Sequence, residues 1–217
     1  MKVALIGATG FVGTQVLKEL ISRGHQTTAI ARHIDNIDSD SDLVTPKSAN
    51  VLNASEVADA VAGHDAVVST YNPGWTNPNI YAEYLEGAQA IQAGVKASGV
   101  KRFLVVGGAG SLEVAPGLQL IDTPDFPEEY KPGAGASREY HKILLTENDL
   151  DWTFLSPAIE MHQGTSGVRK GTYRTALENP VFDENGRSII SSEDLAVAIV
   201  DEIERPQFIK KRFTASY

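Results

Sequence analysis

The sequence predicts an α/β protein built on a doubly wound parallel sheet. Short apolar β-rich runs alternate with longer amphipathic segments along the chain, which is the pattern of repeated βα units. The first such run passes at once into a glycine turn, Gly7-Ala8-Thr9-Gly10-Phe11-Val12-Gly13. With 217 residues, 42% of them hydrophobic, the chain can bury one sizeable core, so residues 1–217 are expected to form a single domain.

The first strand is Val3 to Ile6. Behind the glycine turn, Val12, Val16, Leu17, Leu20 and Ile21 recur at helical spacing, and Gly24 stands where a helix-ending glycine belongs. Gln26 to Ile30 reads as the second strand and Leu43 to Thr45 as a weaker third. A helix from about Ser55 to Ala62 leads to a fourth strand, Ala66 to Thr70. Tyr81, Tyr84, Leu85, Ala88, Ile91 and Val95 mark a long crossover helix over Asn79 to Ser98, ahead of a fifth strand, Arg102 to Val106.

From Gly107 to Gly135 ten of 29 residues are Gly or Pro and no period survives. A connection of that length inside one domain is more often functional than idle. Periodicity returns in a helix from Ser137 to Leu150. A strand at Trp152 to Leu155, a short strand around Thr172 to Thr175, a helix at Ser192 to Glu204 and a last strand at Arg212 to Ala215 complete the chain.

Charge and composition remove several functions. A net charge of −9, from 28 acidic and 19 basic residues, opposes binding to nucleic acid or to an anionic membrane. With no cysteine, disulfide scaffolds, thiolate metal sites and thiol nucleophiles are excluded. The histidines His25, His33, His64 and His162 have no metal-ligand spacing, so no metal site is expected. The apolar start is too short for a signal peptide and no run approaches a membrane span of roughly 20 residues, so the expectation is a cytoplasmic protein.

The glycine turn carries the main chemical signal. Gly7 allows the tight turn, Gly10 lets the backbone approach a pyrophosphate, and Gly13 lets helix and strand pack closely. Freed N–H groups and the helix dipole then face an anion. The expected architecture is therefore of the Rossmann type, with Thr9, Phe11 and Val12 in the same turn beside the cofactor. The end of the second strand selects the nucleotide: a carboxylate there holds the ribose 2′-hydroxyl of NAD, an arginine the 2′-phosphate of NADP. Here it reads Ala29-Ile30-Ala31-Arg32-His33, with Arg32 19 residues beyond Gly13, so NADP(H) is expected to be preferred. Asp35 nearby keeps NAD(H) open. Leu52, ahead of the following helix, is counted with the cofactor-binding residues. So are Ser69 and Thr70 after the fourth strand and Gly107, Gly108 and Ala109 after the fifth, which read either as cleft floor or as ordinary βα turns.

The glycine turn, Arg32, Asp65-Ala66-Val67-Val68-Ser69, Val105-Val106-Gly107-Gly108-Ala109-Gly110-Ser111-Leu112-Glu113, Asp122-Thr123-Pro124-Asp125-Phe126-Pro127 and Arg212-Phe213-Thr214 together resemble the atypical short-chain dehydrogenase/reductases. Within them the chain is similar to the bacterial group named NADH-flavin reductases, over nearly its whole length. The resemblance implies an NAD(P)-binding domain with a small C-terminal substrate-capping region, related to biliverdin-IXβ/flavin reductases and to NmrA-like redox sensors. The usual superfamily catalyst, Tyr-x-x-x-Lys, is missing: the residue four after each tyrosine is Trp75, Leu85, Ala88, Ala134, Leu144 or Leu177, and Tyr217 ends the sequence.

Hydride transfer to a flavin, a quinone or a similar small conjugated acceptor needs little beyond stacking the acceptor on the nicotinamide, since the cofactor carries the reaction. His141 is the candidate proton source. It shares a helix face with Ser137 and Leu144, resembles the histidine of the flavin-reducing relatives, and titrates near neutrality if unperturbed. The alternative is a structural histidine. Ser111 either orients substrate or nicotinamide or closes a turn. Phe126 and Tyr130 in the long loop, Trp75 and Tyr173 are each either stacking rings or anchors to the core. An NADP(H)-binding redox sensor without catalysis is the competing function, and a nucleotide-sugar epimerase the third. Substrate and oligomeric state are not legible.

Overall fold

A computed structural model describes residues 1–37 and 40–217. The elements, in chain order, are β1 (Lys2–Ile6), α1 (Phe11–Ser22), β2 (Gln26–Ala31), β3 (Val44–Ser48), α2 (Ala54–Val61), β4 (Ala66–Ser69), α3 (Ile80–Ser98), β5 (Arg102–Val106), β6 (Glu113–Ala115), β7 (Leu118–Gln119), α4 (Lys131–Leu144), β8 (Asp151–Pro157), β9 (Arg174–Ala176), α5 (Ser192–Glu204) and β10 (Lys211–Ser216). The main sheet runs β3-β2-β1-β4-β5-β8-β10-β9, and β6 and β7 form a separate hairpin. Pairing is parallel from β3 to β10, with only β9 antiparallel. This is the predicted Rossmann-type α/β fold.

Alternation along the strands builds two cores. Val3 and Leu5 of β1 face the layer of α1 and α5, whereas Ala4 and Ile6 face α2, α3 and α4. Strand order reverses between β1 and β4, so a crevice opens at their carboxyl ends, where sheets of this kind bind ligands. The segments that the sequence marks as cofactor-binding lie at these strand ends: the glycine turn after β1, Arg32 after β2, Ser69-Thr70 at β4, and Gly107-Gly108 after β5.

Three elements differ from expectation, each for a local reason. β3 continues through Pro46 to Ser48. It is an edge strand, where the missing N–H removes no ladder bond. α4 begins at Lys131 rather than Ser137 and ends at Leu144 rather than Leu150. Pro132 sits in its first turn, where its missing donor is harmless. Gly133 and Gly135 look like helix breakers in sequence but are contact points: a Cβ on Gly133 would stand 2.6 Å from the Trp75 indole, and one on Gly135 3.6 Å from the Tyr81 ring. Beyond Leu144 the chain turns onto Glu147, which receives Asp149 N–H at 2.6 Å and Gln92 Nε2 at 2.8 Å. The hairpin of β6 and β7 lies in the stretch read as aperiodic, turning at Gly117 with φ +72°.

The segment between β8 and α5 forms the small C-terminal region. It is tied down by charge: Arg169 donates to Glu19 of α1 at 2.9 Å. Asp194 accepts the Lys170 and Gly171 amides at 2.9 and 2.7 Å. No helix among the described residues is long and apolar enough to cross a membrane.

Candidate cofactor and substrate cleft

The glycine turn is closed from both sides by backbone. Gly7 N–H donates to Ile30 C=O at 3.0 Å and Gly10 N–H to Gly7 C=O at 3.0 Å. Gly7 has φ +81°, the left-handed region that glycine adopts without strain. A Cβ on Gly13 would stand 2.0 Å from Gly7 C=O, so β1 and α1 meet at a distance only glycine permits. Gly10 is the N-cap of α1, whose first turn holds no acidic residue. The first-turn amides, among them those of Phe11 and Val12, have no intrahelical acceptor and face the crevice mouth, a fitting cradle for a pyrophosphate. Thr9, Gly10 and Phe11 are exposed there.

Arg32 stands at the carboxyl end of β2, exposed, and pairs with no carboxylate among the described residues. Its carbonyl accepts from Ser48 Oγ at 3.1 Å, which fixes the backbone there. Asp35 lies three residues on, exposed in a short 3₁₀ turn. Leu52, 42% exposed, precedes the Asn53 cap of α2 on the same edge of the sheet.

Two hydroxyls read as cleft floor are turned into the protein. Thr70 Oγ1 donates to Ile6 C=O at 3.0 Å and to Gly7 C=O at 3.1 Å, so it braces the glycine turn from β4. Ser69 is buried at 4% exposure, with Oγ 3.5 Å from Tyr71 N. Gly107 admits the Phe154 ring, whose Cζ lies 2.0 Å from where a Cβ would be. Gly108 lies over Ser137, whose Oγ is 3.5 Å from the corresponding point. Ala109 starts the 3₁₀ turn that ends at Ser111.

Ser111 is buried at 2% exposure and held by Arg212, which donates to its Oγ at 2.8 Å and its carbonyl at 2.9 Å. Arg212 also pairs with Glu178 of the C-terminal region. In this geometry Ser111 closes a turn. Arg212 was missed in sequence as a site residue, although a basic side chain opening a buried strand and followed at alternate positions by Thr214 and Ser216 is a readable signal of a polar interior.

His141 lies on the inner face of α4, 8% exposed, with its ring 4.7 Å from Phe154 and Nε2 buried without a partner. Burial, then the Arg212 charge, pushes its pKa down to about 4, with Glu178 opposing. The sequence predicts a proton donor titrating near neutrality, whereas burial and Arg212 hold this ring in its neutral form at pH 7. An unfolded chain takes up a proton near pH 6.5, whereas the folded chain resists until about pH 4. Stability contributed by the neutral ring is thus complete above pH 6.5 and lost as pH falls toward 4. Unfolding free energies from urea titrations at pH 7 and pH 4.5 should differ by about 2 kcal/mol less in His141→Gln than in the parent.

Beside Ser69 a small cavity is lined by Tyr71, Tyr84, Ala88 and Tyr140. Burial raises the Tyr84 phenol to about 12, with Ser137 nearby lowering it. Tyr140 Oη is buried with no partner. These phenols are too weakly acidic to act as the missing tyrosine. Among the described residues no cluster of metal-ligating side chains occurs.

The family model described as NAD(P)H-binding matches residues 7–206. The chain is 37% identical over 216 residues to the Bacillus subtilis protein YwnB, covering 99% of this chain and 97% of that one. A Bacteroides thetaiotaomicron structure provisionally described as an epimerase has 43% identity and a TM-score of 0.92, covering 100% of this chain and 96% of that one. A Streptococcus pneumoniae structure provisionally described as an NADH-flavin reductase has 34% identity and a TM-score of 0.86, covering 100% and 99%. With the glycine cradle and a family model that matches residues 7–206, the chain belongs to the NAD(P)H-binding family.

Proposed function

We propose that the chain is an NADPH-preferring reductase, folded as one cytoplasmic domain, that passes a hydride to a flavin, quinone or similar small conjugated acceptor. The observation that carries this reading is the Arg32 guanidinium at the end of β2, which pairs with no carboxylate among the described residues, beside a glycine turn with no side-chain cap. A free, always-charged planar group there suits a 2′-phosphate, while the amides of the turn suit a pyrophosphate. When bound, the nicotinamide supplies the hydride. The chain's own part is to bind, orient and exclude water. Thr70 holds the turn in shape, Gly107 and Gly108 keep the floor of the cleft flat, and His141 offers a neutral ring rather than an acid. An acceptor that takes hydride on a conjugated ring and its proton from solvent matches that equipment. An alcohol or sugar, which needs a tyrosine–lysine pair to move a proton on oxygen, does not.

The test is a fluorescence titration with NADPH and NADH, followed on the same sample by a panel of riboflavin, FMN and quinones. Tighter binding of NADPH and its oxidation on adding an acceptor are expected. NADPH binding with no turnover across the panel would overturn the enzyme reading and favour the second one, a redox sensor, which the inward-turned hydroxyls of Ser69, Thr70 and Ser111 also suit.

A further inference from the structure

The loop that leaves β4 brings a large ring over the first turn of α4. Asn72 Oδ1 accepts from Gly74 N–H at 2.7 Å, Gly74 takes φ +109°, and Trp75 follows. Its indole is 52% exposed, against 2% for the other tryptophan, Trp152. The exposed ring is seated, not loose. Its Cζ3 lies 2.6 Å from where a Gly133 Cβ would be, and the Tyr130 ring meets it edge-on at 5.5 Å and 87°.

Contacts fix where this indole stands. Gly133 is one helical turn, about 5–6 Å, before Ser137 on the same face of α4. Ser137 in turn adjoins Gly108 at the end of β5. Arg32 lies at the end of β2, three strands away across β1 and β4. Three spacings amount to about 14 Å, room for a nucleotide running from its phosphate-bearing ribose at Arg32 toward β5. A dinucleotide laid in that direction would bring its nicotinamide end toward the indole.

Charge narrows the occupant. Residues 122–131 beside Tyr130 carry Asp122, Asp125, Glu128 and Glu129 against the single basic Lys131. Lys131 is already paired with Glu128, and Asp122 with Arg138 of α4. The rim around the rings is acidic and repels a phosphate.

Resting on the reductase reading above, we propose that Trp75, with Tyr130 at its edge, is the stacking platform for the acceptor, and that the acceptor is an uncharged planar conjugated ring rather than a phosphorylated flavin. Such a ring stacks on the indole face with one side and meets the nicotinamide with the other.

The experiment titrates riboflavin and FMN against the NADP⁺-loaded protein by flavin fluorescence, and measures KM for riboflavin, a naphthoquinone and NADPH. Wild type should bind riboflavin about fivefold more tightly than FMN. Trp75→Leu should raise the riboflavin Kd and KM about tenfold, within the range of one ring–aromatic stack, while the NADPH Kd stays within twofold. Trp75→Phe, which keeps a ring, should stay within threefold of wild type for riboflavin. A riboflavin Kd unchanged in Trp75→Leu, a parallel loss of NADPH affinity, or tighter FMN than riboflavin binding would overturn the platform while leaving the reductase reading intact. Wild-type protein that binds NADPH but neither binds nor reduces any ring would overturn both.

Discussion

Gly13→Ala should lose about 3–4 kcal/mol of stability and fail to bind NADPH at concentrations that saturate wild type. The new methyl would stand 2.0 Å from Gly7 C=O and 2.8 Å from Gly7 C, and both neighbours are backbone. Neither can rotate away, because Gly7 is fixed by its bond to Ile30 and by the Thr70 hydroxyl. Relief requires α1 to move off β1. That shift displaces the same amides that would hold the pyrophosphate, so stability and binding fall together. A thermal midpoint lower by about 8–14 °C and a flat NADPH titration are expected. Gly10→Ala is the control: its Cβ meets only Gly7 C=O, at 3.3 Å, so the fold should survive with a smaller loss.

Arg32→Glu should separate the two nucleotides. The guanidinium has no protein partner to lose among the described residues, so stability should be unchanged within about 0.5 kcal/mol. NADPH binding, by contrast, loses a charge-assisted contact to the 2′-phosphate and gains a repulsion, an increase in Kd of about 100-fold. NADH lacks that phosphate and should bind within about threefold of its wild-type affinity, so the preference should invert. Equal losses for both nucleotides would show that Arg32 contacts some other part of the cofactor. The measurement is a paired titration of the variant and its parent with both nucleotides, at one fixed salt concentration.

The fold was legible in sequence where local pattern and tertiary environment agree. Residues 102–106 and 192–204 match their strand and helix to the residue, because both are apolar at the periodicity their buried faces demand. The glycine turn was legible as well, since its three glycines answer steric demands that no other residue meets. The start of α4 was not. Gly133 and Gly135 have low helix propensity, and only Trp75 and Ile80, distant in sequence, make the missing side chain at Gly133 an advantage. His141 was placed on the correct helix, but its titration depends on Arg212 and on burial beneath the sheet's far strands, which no local window contains. Ser69, Thr70 and Ser111 were found as polar residues at strand ends. Which way the Thr70 and Ser111 hydroxyls turn is decided by Ile6 and Arg212, again long-range neighbours, whereas Ser69 lies only against the nearby Tyr71 amide.

The two rims of the sheet set how copies of this molecule can meet. On one side β3 presents Pro46, which has no N–H to offer, between Thr45 and Lys47; on the other β9 is three residues long and runs against its neighbour. An open ladder of either kind is a poor template for a foreign strand. Growth of the sheet from one molecule into the next is therefore disfavoured at both ends, which guards the native fold against edge-to-edge aggregation.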